Sequence, residues 1–286
     1  MAAIVLDGVA VARDVYAALA KRVAALARQN VRPGLAAVQV GDNPASRIYI
    51  RNKIRACSAA GIHSLVEALP ADTTSSELID ALQKLNDKPE IHGILVQLPL
   101  PGHLSPALVA GAVAPRKDVD GLTWHNLGAL LAGEPQFEPC TPRGVIRLLE
   151  SAGVSIAGRD AVVVGRSTIV GKPMAMMLTA RSATVTMCHS RTGNLERYTR
   201  NADILIVAVG RPGLIRGNMV KPGAAVIDVG INRGENGIMG DVDFAGVKKI
   251  AGWVTPVPGG VGPMTIAMVI ENTVQAAEQV GLAGRP

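Results

Sequence analysis

Short aliphatic runs alternate with longer amphipathic stretches along almost the whole chain. Because a buried parallel strand reads as a short apolar run, strands are predicted at 35–40, 63–69, 91–97, 161–164, 184–188, 202–209 and 224–229. The amphipathic stretches predict helices at 9–29, 46–60, 76–85, 143–151, 172–181 and 264–281. This alternation is typical of an α/β protein with a doubly wound parallel sheet.

The alternation is interrupted by a Pro/Gly-rich segment at 98–102 and restarts after about residue 140. With 286 residues, 48% of them hydrophobic, the chain is long enough for two cores. We therefore expect an α/β domain at residues 1–140, joined by a C-terminal helix at 264–286, and a Rossmann-like domain at 141–263. The active site is expected in the cleft between the two domains.

Composition and charge argue against several classes of protein. The three cysteines, Cys57, Cys140 and Cys188, lie far apart, which indicates reduced thiols rather than a zinc site. The formal net charge is +6, but the basic residues are dispersed and aromatics make up only 2% of the chain, so no nucleic-acid surface is expected. Neither a signal peptide nor a membrane span is predicted. We expect a cytoplasmic protein.

The most informative segment is residues 162–173, an apolar run followed by a glycine-containing turn and a helical pattern. A strand, turn and helix of this kind place backbone N–H groups where they bind phosphate. A G-x-G-x-x-G fingerprint beginning at Gly165 would need glycine at 167 and 170, where the chain has Ser167 and Val170. The segment predicts a dinucleotide site with an unusual fingerprint.

The next strand indicates which dinucleotide is bound. In an NAD site this strand usually ends in a carboxylate that binds the ribose hydroxyls. Here the strand 184–188 leads to Ser190 and Arg191, and Arg166 in the first loop is a second cation. Hydroxyl and guanidinium groups suit a 2′-phosphate, so NADP is favoured over NAD. The alternative is that Ser190 and Arg191 are ordinary loop residues.

A second group of polar residues lies in the first predicted domain. Ser46, Tyr49 and Lys53 share one face of the helix 46–60 through their spacing of three and four residues. On other faces, Ile48, Ile54 and Cys57 are expected in the core. A tyrosine can orient a ligand, and a lysine can transfer protons when burial lowers its pKa. Taken alone, such a pair more often belongs to a solvated helix face.

Three further segments carry candidate ligand-binding residues. Gln97 ends a buried strand, where open α/β sheets bind ligands, although it could instead satisfy the adjoining turn. Asp118 and Asp120 are close together, but the surrounding sequence offers no third or fourth ligand, so no metal is expected. Residues 255–265 are dense in proline and glycine, which suits either a loop against a flat ligand or a rigid connector.

Together these segments resemble the bifunctional methylenetetrahydrofolate dehydrogenase/methenyltetrahydrofolate cyclohydrolase family. The matching motifs are PASRIYIRNK (44–53), GILVQLPLP (93–101), KDVDG (117–121), PCTP (139–142), GRSTIVGKP (165–173), CHS (188–190) and PGGVGPMT (258–265). They occur in the family's order and span nearly the whole chain.

The resemblance implies an oxidoreductase and hydrolase of one-carbon metabolism, linked to purine biosynthesis. Such an enzyme oxidises methylenetetrahydrofolate with NADP by hydride transfer and hydrolyses the methenyl product to formyltetrahydrofolate. The resemblance implies Lys53 as the acid/base of hydrolysis, assisted by Gln97, with Tyr49 on the folate and Asp120 on the pterin. The other implied contacts are Pro99, Gly259, Gly260, Gly262 and Pro263 for substrate, and Gly165, Arg166, Ser167, Ser190, Arg191 and Ile231 for NADP.

The resemblance also implies a homodimer, and a polyglutamylated folate would be compatible with the positive net charge. Two other classes of function stay open. One is a different Rossmann oxidoreductase that acts on a small polar acid. The other is a catalytically silent protein that binds a nucleotide or nucleic acid; the Tyr49/Lys53 pair and the dispersed charge argue against it.

Overall fold

The computed structural model describes residues 2–234 and 237–283, which form an α/β protein with two compact units. Unit A consists of Asp14–Cys140 and the chain from Ile266 onward. Unit B consists of the residues up to Arg13 together with Thr141–Thr265. Each unit is therefore built from two separate stretches of the chain. The predicted fold class, an α/β protein with parallel sheets, is confirmed.

The strands are β1 (Ile4–Val5), β2 (Gly34–Val40), β3 (His63–Leu69), β4 (Gly93–Val96), β5 (Asp160–Val164), β6 (Thr184–Cys188), β7 (Ile204–Val207), β8 (Ala225–Asp228), β9 (Asn232–Gly234), β10 (Gly237–Met239) and β11 (Trp253–Val254). The α-helices are α1 (Gly8–Ala27), α2 (Pro44–Ala59), α3 (Ser75–Asp87), α4 (Pro106–Ala112), α5 (Trp124–Ala132), α6 (Cys140–Ser151), α7 (Gly171–Ala180), α8 (Leu195–Thr199), α9 (Phe244–Val247) and α10 (Val261–Ala283). Short 3-10 turns lie at Pro115–Lys117 and Gly217–Met219.

Unit A contains a three-stranded parallel sheet in the order β3-β2-β4. All seven residues of the central strand β2 are buried, which explains its unbroken run of small and aliphatic side chains. The register pairs Val38 with Val96, so Gln97 follows β4 close to the carboxyl end of β2. At this edge of the sheet the side chain of Gln97 can contact helix α2.

Unit B contains a six-stranded sheet in the order β1-β11-β8-β7-β5-β6, and all its neighbouring strands are parallel. The register aligns Val164 with both Cys188 and Val207, and Val207 with Asp228. The loops that follow β5, β6, β7 and β8 therefore lie along one edge of the sheet. Open α/β sheets bind their ligands at this edge.

All seven predicted strands and all six predicted helices are present, and their ends differ from the prediction by three residues or fewer. The elements that the pattern did not predict include the helices α4 and α5 and the strands β1, β9, β10 and β11. These strands have only two or three residues, which is too short to show a period.

The first residues of the chain lie in a different unit from the one we expected. β1 pairs in parallel with β11, with Ile4 opposite Trp253, and Gly8 N donates to Gly259 O at 2.9 Å. These contacts explain why residues up to Arg13 group with unit B, whereas we expected them in the first domain.

Within residues 2–234 and 237–283, none of the helices combines the length and the apolar character that crossing a membrane requires.

A capping box begins helix α3 and offers a test of local stability in unit A. Thr74 Oγ1 accepts from Glu77 N at 3.3 Å, and Glu77 Oε2 accepts from Thr74 N at 2.8 Å. We expect Thr74→Ala to lower the free energy of unfolding by about 1 kcal/mol, because the Glu77 N–H loses the hydroxyl oxygen that caps it. Urea unfolding followed by circular dichroism measures this loss. The exposed Ser76→Ala variant is the control, and equal midpoints for the two variants would contradict the prediction.

Candidate functional site

Helix α2 turns a face that includes a lysine and a serine toward the interior of unit A. Ser46, Ile50, Lys53 and Cys57 are buried on this face, and only 7% of Lys53 is exposed to solvent. Their spacing of three to four residues follows the helical repeat. The interpretation of this face as solvated is therefore wrong. The core assignment of Ile48 is also wrong, because Ile48 lies off this face and is 44% exposed.

The Lys53 amine is held by Gln97. Lys53 Nζ donates to Gln97 Oε1 at 3.1 Å. Gln97 Nε2 in turn donates to the backbone oxygen of Leu98 at 2.7 Å, which fixes the orientation of the amide. The oxygen of Gln97 is thus presented to the lysine. The structure brings together two residues that are 44 positions apart in the sequence.

Asp120 lies near enough to Lys53 for their charges to interact. Burial lowers the pKa of Lys53, and the Asp120 carboxyl opposes this by raising it. Burial likewise raises the pKa of Asp120, and Lys53 opposes that shift. A buried amine and a half-buried carboxyl thus lie close together, each limiting the pKa shift of the other. Paired groups with shifted pKa values are typical of acid/base sites.

The neighbouring residues of the KDVDG segment have structural roles. The Asp118 carboxylate accepts from Leu122 N at 3.1 Å, Thr123 N at 2.7 Å and Asn126 Nδ2 at 2.8 Å. Lys117 Nζ donates to the backbone oxygen of Lys88 at 2.6 Å. These bonds shape the turn that carries Asp120. Among the described residues, no group of three His, Cys, Asp or Glu side chains is arranged to hold a metal ion.

Two residues that the sequence did not single out support Asp120. Cys140 Sγ donates to the backbone oxygen of Val119 at 3.0 Å, and Asn272 Nδ2 donates to the same oxygen at 2.8 Å. A hydrogen bond from the Cys140 thiol also lowers the pKa of the Asp120 carboxyl. All three cysteines are free and buried. The PCTP motif contained Cys140, but a lone cysteine gave no signal that it touches Asp120.

The other predicted residues of unit A lie close by in the chain. Tyr49 is half-buried, one helical turn before Lys53 on α2. Pro99 is exposed two residues after Gln97.

In unit B, the backbone of the loop after β5 packs so closely against neighbouring backbone that two of its positions require glycine. Gly165 has φ +134°, and a Cβ there would overlap Ala208 O. A Cβ at Gly171 would overlap Gly165 O. The second glycine thus lies six residues after Gly165, one position beyond the Val170 that the common fingerprint singled out. The sequence contained Gly171, but the fixed spacing of the fingerprint hid its role.

The Ser167 hydroxyl accepts hydrogen bonds from backbone N–H groups at the start of helix α7. Its Oγ accepts from Val170 N at 3.2 Å and from Gly171 N at 3.3 Å, which orders the first turn of α7. Arg166 is exposed on the same loop.

The loop after β6 lies beside the glycine loop. Gly165 N donates to Cys188 O at 2.9 Å, so the two strand ends are directly joined. Ser190 and Arg191 follow and are exposed, and Arg191 N donates to His189 Nδ1 at 3.2 Å. This part of the edge therefore presents a serine hydroxyl and guanidinium groups to solvent, with no carboxylate from residues 189–192.

The remaining predicted residues of unit B lie on more distant strands. Ile231 follows β8 and is 46% exposed, and β7 separates β8 from β5. The loop with Gly259 and Gly260 follows β11 and leads into α10, whose first turn contains Gly262 and Pro263. The structure thus brings Gly165–Ser167 and Ser190–Arg191 together, and places Ile231 and residues 259–263 elsewhere in the same unit.

Comparison with known proteins matches both parts of the chain. Residues 6–120 match the family model "Tetrahydrofolate dehydrogenase/cyclohydrolase, catalytic domain", and residues 139–281 match its NAD(P)-binding domain. The chain is 58% identical over 280 residues to "Bifunctional protein FolD" of Bordetella avium, covering 98% of this chain and 99% of that protein.

Solved structures give the same result. The bifunctional FolD enzyme from Campylobacter jejuni superposes with a TM-score of 0.95 at 47% identity, covering 98% of this chain and 100% of that one. The Trypanosoma brucei enzyme, complexed with NADP and an inhibitor, superposes with a TM-score of 0.94 at 39% identity, covering 98% and 99% of the two chains.

The charge of Asp120 should set part of the proton affinity of Lys53. Asp120→Asn removes the negative charge that raises the pKa of Lys53, so we expect that pKa to fall further. The pH dependence of Lys53 carbamylation by cyanate, quantified by mass spectrometry, measures the shift. The midpoint should move to lower pH. The exposed Asp80→Asn variant should leave it in place, and an unmoved midpoint in Asp120→Asn would show that the two charges are not coupled.

Proposed function

The chain belongs to the tetrahydrofolate dehydrogenase/cyclohydrolase family, and we propose that Lys53, Gln97 and Asp120 form its hydrolytic centre. The protein is a bifunctional enzyme of one-carbon metabolism. It oxidises methylenetetrahydrofolate to methenyltetrahydrofolate with NADP, and it hydrolyses the methenyl product to formyltetrahydrofolate. The family and the pair of activities that the motifs implied are confirmed.

The hydrogen bond from the buried Lys53 amine to Gln97 is the observation that carries the proposal for hydrolysis. Water must attack the methenyl carbon, and protons must then leave the water and reach the departing nitrogen. Because burial lowers its pKa, Lys53 is neutral more often than a solvated lysine and can take a proton from the attacking water. Gln97 Oε1 holds Nζ in place. Asp120 limits the fall of the pKa, so the amine can be protonated again.

The dehydrogenase step makes different demands on the chain. The oxidised nicotinamide of NADP supplies the hydride acceptor. The nitrogen beside the methylene carbon stabilises the resulting cation, so the chain has to bind and align the reactants rather than move a proton. We propose that Lys53 is therefore less important for oxidation than for hydrolysis.

The residues of unit B fit NADP. The backbone contact between Gly165 and Gly171 forms a compact turn at the start of a helix, which suits a phosphate. Arg166, Ser190 and Arg191 are exposed beside this turn, and a planar guanidinium suits the 2′-phosphate. We propose that these residues and Ser167 bind the cofactor, with Ile231 as a further apolar contact.

Several finer assignments belong to the same proposal. Residues 14–140 with α10 would form the folate domain, and 141–263 the NADP domain, to whose sheet the first residues contribute β1. Residues 284–286 of the predicted C-terminal helix lie outside the described residues. The substrate contacts proposed from the family are Tyr49 and Pro99 in unit A, and Gly259, Gly260, Gly262 and Pro263 in unit B. We also propose a cytoplasmic homodimer that accepts polyglutamylated folates, to which the net charge of +6 is favourable.

Replacing Lys53 should separate the two activities. We expect Lys53→Met to lower the hydrolysis rate by about 1,000-fold, in the range that general acid/base groups contribute, and the oxidation rate by less than about tenfold. The assay follows the methenyl intermediate spectrophotometrically after methylenetetrahydrofolate and NADP are mixed, and the variant should accumulate it. Arg55→Met, exposed on the same helix, is the control. Equal loss of both activities in folded Lys53→Met would refute the division of roles, and no methenyl formation by the wild type would refute the function.

A carboxylate at the end of β6 should change the preference for the cofactor. We expect Ser190→Asp to raise the KM for NADP at least tenfold, about 1.4 kcal/mol, because the new charge repels the 2′-phosphate. The KM for NAD, which lacks this phosphate, should not rise. Thr184→Asp, exposed at the other end of the same strand, is the control. Parallel rises for NADP and NAD would show that Ser190 does not face the 2′-phosphate.

A further inference from the structure

Unit B contains a fully buried carboxylate, Asp241, that has no role in the proposed mechanism. It forms hydrogen bonds with the loops that follow two neighbouring strands. Asp241 has 0% of its surface exposed. Its Oδ2 accepts from Val209 N at 2.7 Å and Gly210 N at 2.9 Å, and its Oδ1 accepts from Arg211 N at 2.8 Å. Three consecutive amide groups of the loop after β7 therefore converge on one side chain.

The same carboxylate also holds the loop after β8. Asn232 Nδ2 donates to Asp241 Oδ1 at 2.8 Å, and Asn232 directly follows Ile231. Four neutral donors thus compensate the negative charge of Asp241. Because these donors come from two different strand ends, the carboxylate fixes the position of one loop relative to the other.

Asp228, at the end of β8, fixes the backbone at Asp241 and thereby the direction of the Asp241 side chain. Its Oδ1 accepts from Asp241 N at 2.9 Å, and its Oδ2 accepts from Val242 N at 2.9 Å. Burial raises the pKa of Asp228 to about 6, and the backbone N–H groups oppose the rise. A Cβ at Gly240 would overlap the Asp228 carboxylate, and one at Gly230 would overlap that of Asp241. Close glycine contacts therefore confine both carboxylates.

A single peptide group, between Ala208 and Val209, connects Asp241 to the glycine loop at Gly165–Gly171. In a planar trans peptide the C=O points away from the N–H. The peptide between Ala208 and Val209 directs its N–H to Asp241, and its oxygen is the atom that a Cβ at Gly165 would overlap. Asp241 thus sets the peptide against which Gly165 packs.

We propose that Asp241 is a positioning residue for the NADP site, holding the loops after β7 and β8 in register with the glycine loop. This inference rests on the proposed roles of Gly165 and Ile231 in binding the cofactor. Asp241 itself touches neither reactant. It acts through the Ala208–Val209 peptide on one side and through Asn232 on the other.

The decisive variant is Asp241→Asn, which keeps the shape of the side chain but replaces one acceptor oxygen by a donor facing N–H groups. We expect the Kd for NADP, measured by isothermal titration, to rise at least tenfold, and the KM for NADP to rise with it. The hydrolysis of methenyltetrahydrofolate, assayed without NADP, should stay within twofold, because its proposed residues lie in unit A. Asp243→Asn is the matched control, since Asp243 is exposed and caps only the short helix α9.

Each outcome decides a different question. An unchanged Kd in a folded Asp241→Asn variant would overturn the inference, and so would a parallel loss of binding and hydrolysis, which a general structural role would cause. Failure of the wild type and of Asp243→Asn to bind NADP would instead overturn the proposed function. If Asp241→Asn does not fold, Asn232→Ala decides: it removes one of the four donors and should raise the Kd about threefold, whereas an unchanged Kd would overturn the inference.

Discussion

The burial of the Lys53 amine beside Asp120 is the constraint on which the organisation of unit A depends. Moving a charged amine out of water costs several kcal/mol unless nearby groups compensate it. Compensation requires three separate elements to meet: helix α2, the end of strand β4 and the segment that carries Asp120. Further hydrogen bonds fix the segment around Asp120 and so hold its carboxyl near Lys53. They are made by Lys117, Asp118, Cys140 and Asn272. The polar contacts around the buried Lys53 amine and the segment of Asp120 thus join distant parts of the sequence, from α2 to α10.

Unit B meets a similar demand by another route. Its buried carboxylates are compensated by backbone N–H groups, and its loops meet through glycines that leave no room for side chains. In unit A, burial shifts the pKa of Lys53 and of Asp120, and the charge of each opposes the shift of the other. In unit B, fixed amide donors hold the carboxylates as structural anchors. The difference agrees with the division of chemistry, since proton transfer is needed for hydrolysis and alignment is needed for hydride transfer.

The sequence predicted most of the architecture because strands buried on both faces have apolar runs that are hard to mistake. It placed Lys53, Gln97 and Asp120 in one site only through the motifs, since no local pattern reveals that residues 44 positions apart share a hydrogen bond. Ile48 was misplaced because a β-branched apolar residue on a helix suggests burial, whereas the buried face of α2 is the one that carries Ile50 and Lys53. Gly171 was missed because the loop is one residue longer than the common fingerprint. Asp241 gave no signal at all, since three of its partners are backbone amides that every sequence contains.

The two units are interleaved along the chain, and this order has a consequence for synthesis on the ribosome. Unit B begins with β1, is interrupted by Asp14–Cys140, and resumes at Thr141. Unit A is completed only by α10, which brings Asn272 to the oxygen of Val119. All of unit B is therefore translated before unit A has its last helix. A nascent chain therefore contains Lys53 before Asn272 is present to hold Val119, the residue that precedes Asp120.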